Sequence, residues 1–226
     1  MDVVIPLETW FYSVPPVTRY WMTLSVVASA LVHCEVISPF QLFYSYHSAI
    51  VKQQYWRFLT SFIYFGPLSL DFVFHIFFMS RYPRMLEESF YLHKTSEFIW
   101  LLLYSASSLI LLSPFASLPF LGSPLSFSLV YIWARRNPTV NLSFLGLFVF
   151  SAPYLPWILF IFAYIISGDL PQGDLLGIAV GHVYFFFEDI FPRLYGFRPL
   201  APPWKWSFFA RNQQITDSNN IHHHQL

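Results

Sequence analysis

Ser123, in Gly122-Ser123-Pro124, and His182, at the end of Leu176-Gly177-Ile178-Ala179-Val180-Gly181-His182, are the residue types of an intramembrane serine protease. In that chemistry a histidine on one span takes the proton of a serine on another. Pro124 speaks against it, because it replaces a glycine that would let backbone donors close around an oxyanion. His182 reads two ways by itself. An ionisable group inside a span faces protein or water and needs a partner, so it serves as a polar or gate residue through a structural hydrogen bond, or as a reactive group. Gly177 and Gly181 form a small-xxx-small pattern that lets a second helix approach closely. In Gln54-Tyr55-Trp56-Arg57 an arginine stands beside a tryptophan. Such a pair suits a membrane interface, where Arg bonds phosphates or carbonyls, Trp sits at headgroup depth, and the two stack if geometry permits.

The remaining polar groups carry less. Glu87-Glu88 and Glu188-Asp189 stand beside basic residues at expected span ends and read as interfacial charge, since hydrolysis by two carboxylates needs burial and facing geometry. Asp71 and His75 share a helical face and read as packing rather than an ion site. His222-His223-His224 lacks a carboxylate and a fixed frame, and no metal or other cofactor is expected. Cys34 is the only cysteine, which excludes an internal disulfide and a CxxC pair.

These residues must be positioned inside a membrane. Of 226 residues, 56% are hydrophobic and only 11% charged, whereas soluble domains carry about a quarter charged side chains. The absence of a basic face disfavours nucleic acid as a partner. Residues 98–134 carry no charge. As one helix they would be about 55 Å long against a hydrocarbon core of roughly 30 Å, so they form two spans. The prolines at 114, 119 and 124 mark the reversal, giving spans near 98–114 and 117–134. A third follows near 148–168 after an interfacial lead-in, its start shaped by Pro153 and Pro156. Thr18 to Glu35, Leu68 to Met79 and Leu175 to Ile190 complete six, the second and sixth being short. Val36 to Gly66 reads as a long amphipathic loop in the interface.

Met1 to Pro16 lacks the basic start and apolar core of a signal peptide, so the first span acts as an uncleaved anchor. With a cytosolic N-terminus, all of the 12 Lys and Arg except Lys52 and Arg57 are cytosolic. That positive-inside bias fits an even number of spans with both termini in the cytosol. The sequon Asn141-Leu142-Ser143 then stays unmodified.

In order along the chain, several blocks resemble the derlin family of rhomboid-like pseudoproteases. They include Pro15-Pro16-Val17-Thr18-Arg19, Ile37-Ser38-Pro39-Phe40-Gln41-Leu42, Tyr55-Trp56-Arg57-Phe58-Leu59-Thr60 through Phe65-Gly66-Pro67, and Arg84-Met85-Leu86-Glu87-Glu88. Leu129 through Pro138, Ala152-Pro153-Tyr154-Leu155-Pro156-Trp157 and Asp174 through Pro192 continue the match. The resemblance implies an all-α, six-transmembrane rhomboid-like bundle over residues 1–195, with a short cytosolic tail at 196–226 that is disordered. It makes Trp56 and Arg57 the family's first-loop motif, and Gly177 and Gly181 its GxxxG.

The implied function is non-enzymatic: a component of endoplasmic-reticulum-associated degradation, located in the endoplasmic reticulum membrane, that helps misfolded lumenal and membrane clients cross back to the cytosol. A thinned bilayer and a lateral opening would lower the barrier, and the implied partners are a ubiquitin ligase complex, membrane lipid and sister derlins in homo- or hetero-oligomers. One departure concerns the tail. The Phe- and Gly-containing box that recruits a hexameric AAA ATPase in many derlins has no counterpart after Gly196, so the ATPase is expected to be reached indirectly. The alternatives are an active rhomboid-type protease using Ser123 and His182, and a small-solute transporter or channel. The second is disfavoured by the lack of paired intramembrane charges and of repeats.

Overall fold

Prolines open several of the helices, where the missing N–H costs nothing. The computed structural model describes residues 6–116, 118–144 and 148–204, the side chains of Pro6, Leu7, Asp71 and Phe144 excepted. A short α1 (Pro6–Ser13) leads into α2 (Pro16–His33), which has proline at its start, as have α3 (Pro39–Leu42) and α8 (Leu155–Ser167). α4 (Trp56–Ile63) follows a π-helical turn at His47–Val51. α5 (Leu70–Ser89) is capped by Ser69, whose hydroxyl accepts from the Phe72 N–H at 3.3 Å. α6 (Thr95–Ala116) and α7 (Gly122–Arg136) come next, then a hairpin of β1 (Asn141–Phe144) and β2 (Phe148–Ser151). α8 ends at Gly168, whose φ of +74° is the left-handed cap that glycine adopts without strain. α9 (Gln172–Phe185) passes through a π turn, Phe186–Ile190, into α10 (Phe191–Tyr195).

Six helices stand where spans are expected, with differences of extent. α7 begins only at Gly122, and α8 only at Leu155, because residues 148–151, at the expected start of the span near 148–168, form strand β2. α5 does not stop at Met79 but runs to Ser89 with Pro83 in its interior. Arg81 ends the apolar stretch without ending the helix, because a helix can continue past the membrane boundary. The last helical run likewise extends over Gln172–Tyr195, so the second and sixth helices are not the short ones expected. The short ones are α7 and α8, because the prolines before them delay the start of each. That run and α6, with mean hydropathies of 1.3 and 1.8, are long and apolar enough to cross a membrane, and Ala152–Ser167 is a shorter apolar helix. Two connecting segments are also more structured than the sequence suggests. Residues 36–66 are no mere interfacial loop: Tyr44, Ala49, Ser61 and Phe62 are buried. The lead-in to α8 is the β1–β2 hairpin, paired Asn141↔Ser151, Leu142↔Phe150, Ser143↔Val149 and Phe144↔Phe148.

The chain divides into two compact units, residues up to Val183 and residues from Tyr184. In the first, α7 is the centre, buried on every side from Pro124 to Ala134, as expected of a helix enclosed by others. α4, α5, α6 and α8 pack around it, and α2 packs against α4 and α5. Hydrogen bonds tie the two ends of this bundle. At one end Thr18 meets Glu87, Arg84 reaches Ser13, and Arg136 donates to the Tyr91 hydroxyl at 3.0 Å. At the other, Ser29 donates to the Gly66 carbonyl, the Leu121 N–H to Ser61, and the Tyr44 N–H to Pro119. In the second unit Phe186, Phe187, Phe191 and Tyr195 contact in sequence, and Gly196 caps α10 at φ +69°. Lys205 and Trp206, the histidine run at 222–224 and the rest of the expected tail lie outside the described residues.

Candidate functional site

Consecutive residues on a helix project about 100° apart, and that separates Trp56 from Arg57. On α4 the buried stripe is Arg57, Ser61 and Phe62, which leaves Trp56 turned outward and 56% exposed. Arg57 is only 8% exposed. Its Nη1 donates to the carbonyls of Phe40 and Phe43, each at 2.8 Å, and its Nε to the Gln54 side chain at 2.6 Å. The ring beneath its guanidinium is Phe43, 5.0 Å away, not Trp56. Thr60 adds a hydrogen bond to the Leu42 carbonyl. The carbonyls bonded by Arg57 and Thr60 belong to α3 and its C-terminal flank, so Arg57 fastens one half of the first loop to the other. Beside this clamp the Tyr44 ring lies buried, its hydroxyl hydrogen-bonded to Ser113, and burial pushes the phenol above its usual range.

The second constellation is the seam between α7 and α9. Ser123 donates to the Asp174 carboxylate at 2.5 Å, and the Tyr131 hydroxyl meets His182 Nδ1 at 2.6 Å. Both pairs have the same sequence offset of 51, so the helices run side by side in the same direction. Glycines allow this approach. A Cβ on Gly177 would lie 2.2 Å from the Pro124 carbonyl oxygen, and one on Gly181 would lie 2.7 Å from that of Ser128. Gly173 extends the stripe by a turn, its Cβ position 3.0 Å from Pro124 Cγ. The structure brings Gly177, Gly181 and His182 against α7 but does not join Ser123 to His182. Their partners mark levels more than two turns apart, about 12 Å at 1.5 Å per residue. A general base must lie within about 3.2 Å of the proton it takes, directly or through one water.

Sequence reasoning missed three of these residues. Asp174 is 5% exposed and faces Ser123; its spacing of three from Gly177 was the available signal. Tyr131 offered none. Glu87, read as interfacial charge, is 4% exposed instead. α2 has no capping side chain of its own, and the Glu87 carboxylate accepts from the Val17 N–H at 3.2 Å, the Thr18 N–H at 3.0 Å and the Thr18 hydroxyl at 2.8 Å. It is the anion at the positive end of α2, supplied by α5. Glu88 does lie at the surface, in an ion pair with Arg84 at 2.7 Å. No group of three or more His, Cys, Asp or Glu able to hold a metal exists among the described residues. The Asp71 side chain, expected beside His75, lies outside them.

Comparison with known proteins gives one consistent answer. The model of the Der1-like family matches residues 14–204. Derlin-2.1 of Zea mays is 40% identical over 208 residues, covering 87% of this chain and 83% of its own. Derlin-2.2 of Arabidopsis thaliana is 39% identical, covering 87% and 85%. A probable derlin-2 homolog of Dictyostelium discoideum is 35% identical over 205 residues, covering 88% and 80%. The match spans the Arg57 clamp, the Glu87 cap and the whole α7–α9 seam, and with the apolar helices around them it makes this chain a helical membrane protein that belongs to the Der1-like family.

Proposed function

We propose that the chain is a non-proteolytic component of endoplasmic-reticulum-associated degradation, assisting misfolded lumenal and membrane proteins back across the endoplasmic reticulum membrane. The observation that carries this reading is the α7–α9 seam. The residues a rhomboid-type protease would pair are held apart, Ser123 by Asp174 and His182 by Tyr131, within helices otherwise packed as tightly as such a dyad would require. Membership of the Der1-like family supports the degradation role. Work of this kind lowers the cost of passing a polar backbone through hydrocarbon, several kcal/mol for each unsatisfied group. Short helices serve that end: α8, with 13 residues and with Ile161 and Ile165 exposed along it, is about 20 Å long against a core of roughly 30 Å, and it favours a thinner bilayer nearby.

We further take α2, α5, α6, α7, α8 and α9 as the six spans, with both termini cytosolic. The parallel course of α7 and α9 supports α8 as a full return span between them, and the charge bias of the connecting segments supports an even count. A ubiquitin ligase complex, sister derlins and a hexameric AAA ATPase reached indirectly are the proposed partners. The test is the half-life of a misfolded glycosylated lumenal reporter in cells depleted of the protein and rescued with variants. Wild type and Ser123→Ala should restore degradation, while Arg57→Ala and Gly177→Leu should not. Loss of rescue by Ser123→Ala alone, at normal abundance, would replace this reading with proteolysis.

A further inference from the structure

The β1–β2 hairpin has a face that the protein covers only in part. Strand partners share a face, so the register puts Leu142 opposite Phe150 on one side and Ser143 opposite Val149 on the other, with Asn141 and Ser151 beyond. Phe148 shares the Leu142 and Phe150 side, and its ring lies 5.8 Å from that of Phe150. Along this apolar face exposure rises away from the bundle. Leu142 is 8% exposed and Ala152, bonded to the Val140 carbonyl at the base, is fully buried, whereas Phe148 is 47% exposed. A two-stranded ribbon of this size is marginal in water and needs a surface to lie on.

What it lies on follows from its position. The hairpin joins the C-terminus of α7 to the N-terminus of α8, two spans that are short beside α6 and beside the last helical run, which continues from α9 to Tyr195. Ala152–Ser167 is about 24 Å long and α7 about 22 Å, against about 33 Å for α6 with its 22 residues. Helices this short draw their ends, and the segment between them, toward the headgroup level. The flanking residues are those of an interface: Arg135 and Arg136 before the hairpin, and exposed Tyr154 (64%) and Trp157 (47%) after it.

We propose that the β1–β2 hairpin is an interfacial membrane anchor, lying flat on the leaflet at the Arg136 end of the bundle with Phe148 and the outer part of its Leu142–Phe150 face among the upper acyl chains. Amphipathic segments sit about 5–10 Å deep in this way. The occupant is lipid, and under the orientation proposed above the leaflet is the cytosolic one. The inference rests on the membrane reading but not on retrotranslocation.

The experiment uses the full chain with Cys34→Ser, carrying one nitroxide-labelled cysteine at a time, in vesicles of phosphatidylcholine and phosphatidylserine. Collision with oxygen, which partitions into hydrocarbon, is compared with collision with a water-soluble nickel chelate. The oxygen-to-nickel ratio should be several-fold higher for Phe148→Cys than for Ser143→Cys, and highest for Leu111→Cys on the exposed side of α6. Val149→Cys, which leaves Phe148 in place, should match Ser143→Cys. Equal ratios at 148 and 143 with a high value at 111 would put the hairpin in water and overturn the proposal. Exclusion of both quenchers from 148 would mean that protein covers the face, which also overturns it. A water-like value at 111 would instead bring down the membrane reading itself.

Discussion

Phe40 and Phe43 present carbonyls to Arg57 that no regular helix or sheet satisfies, so the side chain does locally what secondary structure does elsewhere. Arg57→Ala leaves those acceptors and the Gln54 amide oxygen without their donor in a buried site. Hydrogen bonds to a charged group contribute about 1.5–3 kcal/mol each, so a loss of roughly 3 kcal/mol is expected after partial relaxation. Arg57→Lys should recover only part, since an ammonium cannot copy the planar fork. Thermal unfolding in detergent micelles measures both, and Trp56→Ala, at an exposed ring, should shift the transition far less. Glu87 and Glu88 make a second comparison. Glu87→Ala removes the carboxylate from the N-terminus of α2 and should cost about 2 kcal/mol, while Glu88→Ala breaks a surface pair worth about 0.5 kcal/mol. Equal effects in the same unfolding assay would mean that Glu87 is not the cap. Nothing in the adjacent pair distinguishes these two residues by type, because the partner of Glu87 lies some 70 positions away in sequence.

At the scale of elements, the α7–α9 seam grades its glycines. Adding a methyl at Gly177 drives Cβ into a backbone carbonyl at 2.2 Å, at Gly181 into one at 2.7 Å, and at Gly173 toward a proline ring carbon at 3.0 Å. Backbone cannot step aside without moving a helix, and overpacking of this kind costs about 1–3 kcal/mol or more. Alanine substitutions should therefore destabilise in the order Gly177, Gly181, Gly173, read as midpoints of unfolding in detergent; the reverse order would mean that the helices do not meet along this stripe. The GxxxG spacing was legible because small residues at i and i+4 have one common use in membrane helices. Helix α5 was legible only in its apolar part, since hydropathy follows the membrane and not the backbone hydrogen bonds that carry the helix on to Ser89. The hairpin was hidden because its second strand, Phe148–Ser151, runs on in sequence into the apolar stretch of α8 and reads as the start of one span. Of the site, the residue types Arg57, Gly177 and His182 could be picked from the chain, but their partners Phe43, Pro124 and Tyr131 could not, for these are contacts that only folding creates.

At the scale of the whole molecule, the arrangement of ends gives sidedness a physical test. The contacts of Thr18 with Glu87 and of Arg136 with Tyr91 gather the basic residues Arg19, Arg84 and Arg136 at one end of the bundle, while those of Ser61 with Leu121 and of Ser29 with Gly66 gather Arg57 and Lys52 at the other. An excess of Lys and Arg within a few turns of the span ends holds that end in the cytosol. Cys34, exposed just past the end of α2, belongs to the Arg57 end, and Ser143, exposed in β1, to the Arg136 end. The sole natural thiol is thus a reporter for one face and Ser143→Cys, placed in a Cys34→Ser background, a reporter for the other. In cells whose plasma membrane alone has been opened, a membrane-impermeant maleimide should modify the cysteine at 143 and spare Cys34 until detergent opens the internal membranes. Labelling of both without detergent would put the two ends on one side of the membrane and defeat the six-span assignment. Labelling of Cys34 alone would keep the bundle but invert it, and the basic end would then face the lumen against the charge bias that its sequence carries.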